Sequence, residues 1–138
     1  MSVIQELVRS QADGSISFGN HKLEKKAKKE NFEHCGDLYK VKTYCEITKL
    51  ERNGMFVYES VPGTAVSEFV AADWGVEFLV EGDKDVQITV QLEGDTEYEV
   101  TVDGMSAGNM ATNMSGKLNV SVELNEGSAV KVGIEKRQ

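Results

Sequence analysis

From residue 76 onward, apolar side chains recur at every second position, the spacing of a strand with one face in a core and the other in water. Val76, Phe78 and Val80 alternate with Glu77 and Leu79, and Val86, Ile88, Val90 and Leu92 alternate with Gln87, Thr89 and Gln91. Tyr98, Val100 and Val102, then Leu118, Val120, Val122 and Leu124, then Val130, Val132 and Ile134 repeat the pattern, which predicts five strands. Fourteen of the seventeen valines lie after residue 54, and β-branched side chains suit a pleated surface. Turn residues fall between the runs, at Glu81-Gly82-Asp83, Glu93-Gly94-Asp95, Asp103-Gly104, Ser115-Gly116 and Asn125-Glu126-Gly127, at the intervals of a sandwich. The expectation is an all-β chain, an antiparallel β-sandwich.

The first half reads less evenly. Ile4, Leu7 and Val8 have helical spacing, so a short amphipathic helix is expected over residues 2–10, ended before Asp13-Gly14. The lysine-rich segment 22–30 suits a helical turn or a surface loop equally. Residues 38–44 alternate again as a strand, and Asn53-Gly54 predicts a type I′ hairpin turn before Met55 to Tyr58. Pro62-Gly63 breaks that run, Thr64 to Ala71 begins the next, and Asp73-Trp74-Gly75 closes it. With 138 residues, one cooperative unit is expected, made of an N-terminal part, 1–70, packed on a sandwich core, 71–138. A chain of this size buries about 68–70% of the surface its unfolded form exposes, so it can build a core without disulfides or metals.

Charge narrows the function. The chain carries a net −8; residues 1–53 hold ten Lys/Arg against eight Asp/Glu, and residues 54–138 hold five against fifteen. Nucleic-acid binding needs a basic face that releases counterions, and only Lys22, Lys25, Lys26, Lys28 and Lys29 begin one. Glu24 and Glu30 interrupt that run, which reads as a solvated polar face, so no nucleic-acid partner is expected. Apolar runs are too short to span a bilayer, and the first fifteen residues lack a basic stretch followed by an apolar one, so no membrane partner and a cytoplasmic location are expected. Cys35 and Cys45 are read as two free thiols. His34 beside Cys35 invites a metal reading, yet the only other histidine is His21 and no closed tetrahedral spacing exists, so neither metal nor cofactor is expected.

Catalytic motifs are sparse. Glu77, Glu97, Glu99 and Glu123 occupy outward strand positions, where carboxylates solubilise a face and blunt edge pairing. There is no G-x-S-x-G elbow, no Walker loop and no G-x-G-x-x-G between a strand and a helix. Gly82-Asp83-Lys84-Asp85 offers hard oxygen ligands for calcium but lacks the spaced third and fourth oxygens of an EF-hand, and reads as a turn. Met105, Met110 and Met114 read as core gap-fillers around a small-residue stretch that alternatively forms a flexible edge or a subunit contact. Trp74 lies between Asp73 and Gly75; tryptophan is highly buried on average, so a capping or core role is expected. An exposed indole beside carboxylates would instead stack on a sugar ring, and Trp74, Asp73, Tyr58 and Glu59 are the candidate ligand-binding residues on that alternative.

Two stretches carry a resemblance. Gly36-Asp37-Leu38-Tyr39-Lys40-Val41-Lys42-Thr43, followed by Asn53-Gly54-Met55-Phe56-Val57-Tyr58-Glu59-Ser60-Val61-Pro62-Gly63-Thr64, resembles a group of small uncharacterised bacterial proteins labelled endosialidase or endosialidase chain. Tyr98 to Asp103-Gly104 and Gly116 to Val122 are similar to accessory β-sandwich domains appended to carbohydrate-active enzymes. The resemblance implies a carbohydrate connection, and no catalytic residue carries over from it. The resulting expectation is a non-catalytic binding or accessory module with carbohydrate as candidate ligand. The alternatives are a structural protein acting by self-association, as a homo-oligomer, through the N-terminal helix and sheet edges, and a small carbohydrate-active enzyme, which requires two close carboxylates or an arginine cluster.

Overall fold

A computed structural model describes residues 3–137, and among them every regular element is a strand. In chain order these are β1 (Val8–Ser10), β2 (Ile16–Phe18), β3 (Ala27–His34), β4 (Asp37–Tyr44), β5 (Ile47–Arg52), β6 (Met55–Val61) and β7 (Ala65–Ala72). Then follow β8 (Gly75–Glu81), β9 (Val86–Gln91), β10 (Glu97–Val102), β11 (Met105–Ala111), β12 (Lys117–Val122) and β13 (Val130–Lys136). They form two sheets, one of order β1-β2-β7-β8-β13-β10-β11 and one of order β12-β9-β6-β5-β4-β3. Every adjacent pair is antiparallel. Among the described residues no helix is long and apolar enough to cross a membrane.

The local cause of this topology is turn chemistry. Arg52 pairs with Met55 across Asn53-Gly54, whose φ values of 51° and 80° are those of the expected type I′ turn. Cys35-Gly36 between β3 and β4 and Asp103-Gly104 between β10 and β11 repeat it, with both central φ angles positive. Such turns match the twist of the strands they join, so each hairpin's connection is specified by its own two turn residues.

The alternating residues meet in one core. Phe18, Phe69 and Phe78 from the seven-stranded sheet surround Tyr58 from the six-stranded one, with Phe18–Tyr58 and Tyr58–Phe78 centroids 5.2 and 5.6 Å apart in edge-on contacts. Beside this cluster lies a network of buried hydroxyls. The Thr48 hydroxyl donates to the Thr64 carbonyl (2.8 Å) and accepts from the Thr64 N–H (3.0 Å), so in its 2.7 Å bond with Thr43 the donor is Thr43. Thr43 in turn accepts from the Asn20 N–H, and Thr64 Oγ1 bonds both Tyr58 and Ser60. Each of these buried hydroxyls thereby has a partner, and β4, β5 and β6 are tied to the segment leading into β7.

Three expectations are corrected. Residues 3–10 form no helix: the chain turns at Gln5-Glu6, Leu7 takes a φ of 73°, and Val8–Ser10 pair with β2 (Met1 and Ser2 lie outside the described residues). A helix that short is marginal on its own, whereas this path buries Ile4 and Val8 and gives the backbone cross-strand partners. The lysine-rich segment enters β3, an edge strand whose first half needs no apolar face because it is largely exposed. Met105 is 75% exposed and Met110 half-buried, because β11 is the outermost strand of its sheet, and Met114, in the turn between β11 and β12, is 83% exposed. The boundary near residue 70 falls inside β7, which pairs with β2 on one side and β8 on the other.

Candidate binding face

Because β4, β5, β6, β9 and β12 alternate buried and accessible positions, the register of the six-stranded sheet lays out its outer face row by row. The central row runs Lys28, Lys42, Lys49, Glu59, Thr89, Asn119, each directly opposite the next. Three successive lysines opposite one another repel, and neighbouring strands are only about 4.8 Å apart. Beside this row lies Lys40, Glu51 and Phe56, with the Lys117 ammonium 5.0 Å from the Phe56 ring centroid. On the other side are Tyr44 opposite Ile47, and Val61, Gln87 and Ser121 in line. Lys26 sits over the Tyr44 ring at 5.8 Å. The Tyr44 hydroxyl donates to Glu46, and that bond holds its pKa above the usual value.

This face presents Lys28, Lys40, Lys42, Lys49 and Lys117 against Glu51 and Glu59, within a chain of net −8. Lys28 pairs with Glu30 at 3.7 Å and Lys49 with Glu51 at 3.6 Å, while Lys40, Lys42 and Lys117 make no ion pair among the described residues. The remaining third is neutral and hydrogen-bonding: Thr89 donates to Asn119 at 2.5 Å and Gln87 to Ser121 at 2.5 Å. Cations, two accessible rings and side-chain amides on one flat surface are groups that hold a polar, anionic chain.

The four sequence candidates do not converge. Tyr58 is fully buried on the inner face of β6, and burial pushes its phenol far above the usual range, so it is a packing residue and not a ligand contact. Glu59, the next residue, points to the opposite face and stands in the central row. Trp74 is 42% exposed in the Asp73-Trp74 turn between β7 and β8, at one end of the other sheet; the expected burial is corrected, because a two-residue turn leaves the indole outside the core. Asp73 lines a hollow of about 310 Å³ with Arg52, Gln91 and Glu93. The row of lysines escaped the sequence reading; its signal is Lys40 and Lys42 at period two, one tight turn away from Lys49.

Other functional-looking groups have structural partners. The Gly14 carbonyl lies 3.0 Å from His34 Nε2 and so places the ring proton there, leaving Nδ1 to accept from the Ser10 hydroxyl at 2.6 Å. His34 thus clasps the β1–β2 hairpin to β3, with Cys35 Sγ at 3.6 Å. His21 is buried with Nε2 3.6 Å from Asp83, and burial lowers its pKa against the pull of that carboxylate. Asp83 is held below the usual carboxylate range chiefly by its hydrogen bond from Lys22, which also reaches Glu126. No three His, Cys, Asp or Glu side chains among the described residues are grouped to hold a metal ion. Arg9 pairs with Glu6, Arg137 with Glu99, and Arg52 ends β5, so the three arginines stand on separate elements. Comparison with known proteins finds no matching family model, no matching curated protein and no matching solved structure.

Proposed function

We propose that the chain is a non-catalytic β-sandwich module that binds an acidic carbohydrate on the outer face of the six-stranded sheet. The observation that carries this reading is the Lys28-Lys42-Lys49 row, set in an otherwise acidic chain and continued by Glu59, Thr89 and Asn119. Lysines aligned against their own repulsion are tolerated where a ligand neutralises them. The neutral amides and hydroxyls beyond them suit sugar hydroxyls, and Phe56 and Tyr44 offer ring surface. The resemblance to accessory domains of carbohydrate-active enzymes points to the same ligand class. The test is affinity electrophoresis through a carboxylated polysaccharide, a neutral polysaccharide and duplex DNA. The acidic glycan is expected to retard the protein, and Lys42→Glu with Lys49→Glu to weaken binding by about tenfold or more. Equal retardation by the neutral glycan, preference for DNA, or an unaffected double variant would overturn the proposal.

A second reading, self-association, is favoured by β11. This edge strand, Met105 to Ala111, contains no charged residue, and an open uncharged edge is a template for pairing with another copy. Light scattering on Ala107→Lys against the unaltered chain tests it; a monomer in both forms at high concentration ends it.

A further inference from the structure

Each of the two free thiols has a histidine in the hollow it lines, and the two histidines are not equivalent. His34 spends both ring nitrogens, Nε2 on the Gly14 carbonyl and Nδ1 on the Ser10 hydroxyl. His21 spends one. Its Nε2 lies 3.6 Å from Asp83 Oδ1, a carboxylate that draws the ring proton to that nitrogen, and its Nδ1 is then a buried acceptor with no hydrogen-bond partner. The residue as a whole is 7% exposed, so this nitrogen bears the cost of burial without a bond to offset it. Cys45 shares with His21 a hollow of about 80 Å³, completed by Pro62, Gly63, Asp83 and Lys84. The backbone fixes it there: the Cys45 N–H donates to the Leu23 carbonyl at 2.8 Å, two residues along from His21, and its carbonyl accepts the Gly63 N–H at 3.0 Å. The second contact requires glycine, since a Cβ at Gly63 would lie 2.0 Å from the Tyr44 carbonyl oxygen.

We propose that Cys45 is a modification site, which with His21 as its general base exchanges with a carboxylate-bearing low-molecular-weight disulfide and comes to carry a mixed disulfide. His21 Nδ1 takes the thiol proton as Sγ attacks one sulfur of the small disulfide; the new S–S bond forms on Cys45 and the old one breaks. The departing thiolate is protonated by the imidazolium, so the small disulfide, which is the oxidant, yields one thiol while Cys45 is oxidised. Asp83, itself hydrogen-bonded by Lys22, orients the ring as the third member of a nucleophile, base and orienting group. Burial holds the pKa of His21 below its ordinary 6.5, so the ring is neutral and able to accept at pH 7. Lys84 is exposed, lines the same hollow and makes no ion pair among the described residues, so its ammonium favours the attacking thiolate and the ligand's carboxylate. The hollow contains none of the lysines of the six-stranded face, so the inference stands or falls independently of the glycan reading.

The test exposes the full chain to oxidised glutathione at pH 7.5 and follows each thiol by mass spectrometry of tryptic peptides. Cleavage after Lys40 and Lys42 puts Cys35 and Cys45 on separate peptides, so Cys35 is an internal control of equal exposure class. Cys45 is expected to react faster than Cys35 by about tenfold or more, the contribution of a positioned base, and His21→Gln to remove most of that difference. Lys84→Gln should slow the reaction of Cys45 with oxidised glutathione and leave its reaction with neutral iodoacetamide unchanged. Equal rates at the two thiols, or an unaltered Cys45 rate in His21→Gln, would overturn the proposal. Should His21→Gln not fold, the unaltered chain and Lys84→Gln decide: Cys35 modified as fast as Cys45, or Lys84→Gln without effect on the glutathione reaction, rejects the site.

Discussion

The outer faces of the two sheets are built by the same strand period and carry opposite charge. On the six-stranded sheet Lys28, Lys42 and Lys49 stand in line; on the seven-stranded sheet Glu99 faces Glu135 directly, with Glu77 and Glu97 nearby and Lys131 among them. The inner faces, by contrast, are interchangeable in character, valine and aromatic residues from both sheets in one cluster. Folding therefore constrains one half of each strand's positions and leaves the other half free to be set by what the surface meets. Each face relieves part of its repulsion: the acidic one has Lys131 on Glu77 at 3.4 Å and Arg137 on Glu99 at 3.6 Å, and the basic one has Lys28 on Glu30 at 3.7 Å and Lys49 on Glu51 at 3.6 Å, while Lys40, Lys42 and Lys117 have no such partner among the described residues.

The comparison assumes that both faces rest on one core, and Phe78→Ala tests that first. Removing a fully buried ring that touches Tyr58 across the sheets should cost about 3–5 kcal/mol, seen as a single shifted denaturation midpoint for probes on either sheet. Two separate transitions would break the comparison at its base. Next, Thr48→Val should cost about 1–3 kcal/mol, because it leaves the Thr64 N–H and carbonyl without their buried partner; an unchanged urea midpoint would show the hydroxyl network to be incidental.

Smaller effects bear on the faces themselves. Lys42→Glu and Glu135→Lys should each stabilise, by about 0.2–1 kcal/mol, since each turns a like-charge cross-strand contact into an opposite-charge one. Both gains should shrink in concentrated salt, and destabilisation by either exchange would show that register alone does not govern that face. The smallest effect concerns pH. The folded-state pKa of His21 lies below its ordinary 6.5, so the unfolded chain takes up the proton first as pH falls. The stability this neutral ring confers is complete above pH 6.5 and declines below it, toward the lower folded value. His21→Gln should flatten the thermal midpoint across that interval relative to the unaltered chain, while the Asp83 contribution, lost at still lower pH, remains.

Much of the fold was legible because period two and turn residues act locally. Asn53-Gly54, Asp103-Gly104 and the alternating valines each state their conformation within a few residues. What stayed hidden depended on partners distant in sequence. Ile4 and Val8 share a spacing that a helical face also has, and only pairing with β2 separates the two. Lys28, Lys42 and Lys49 become one row only through two hairpin registers, the first of them containing a bulge. β11 lacks the valine signal because an edge strand exposed on nearly all its length has no core to fill. The average burial of tryptophan points Trp74 inward, and a two-residue turn overrides that average.

Strand β4 has a thiol just beyond each end, Cys35 in the turn before it and Cys45 in the turn after, both exposed and free. An extended run of ten residues separates them by about 30 Å, far beyond the few ångströms a disulfide spans. The two thiols therefore have no route to a crosslink with each other, and a disulfide at either one needs a thiol from outside this molecule.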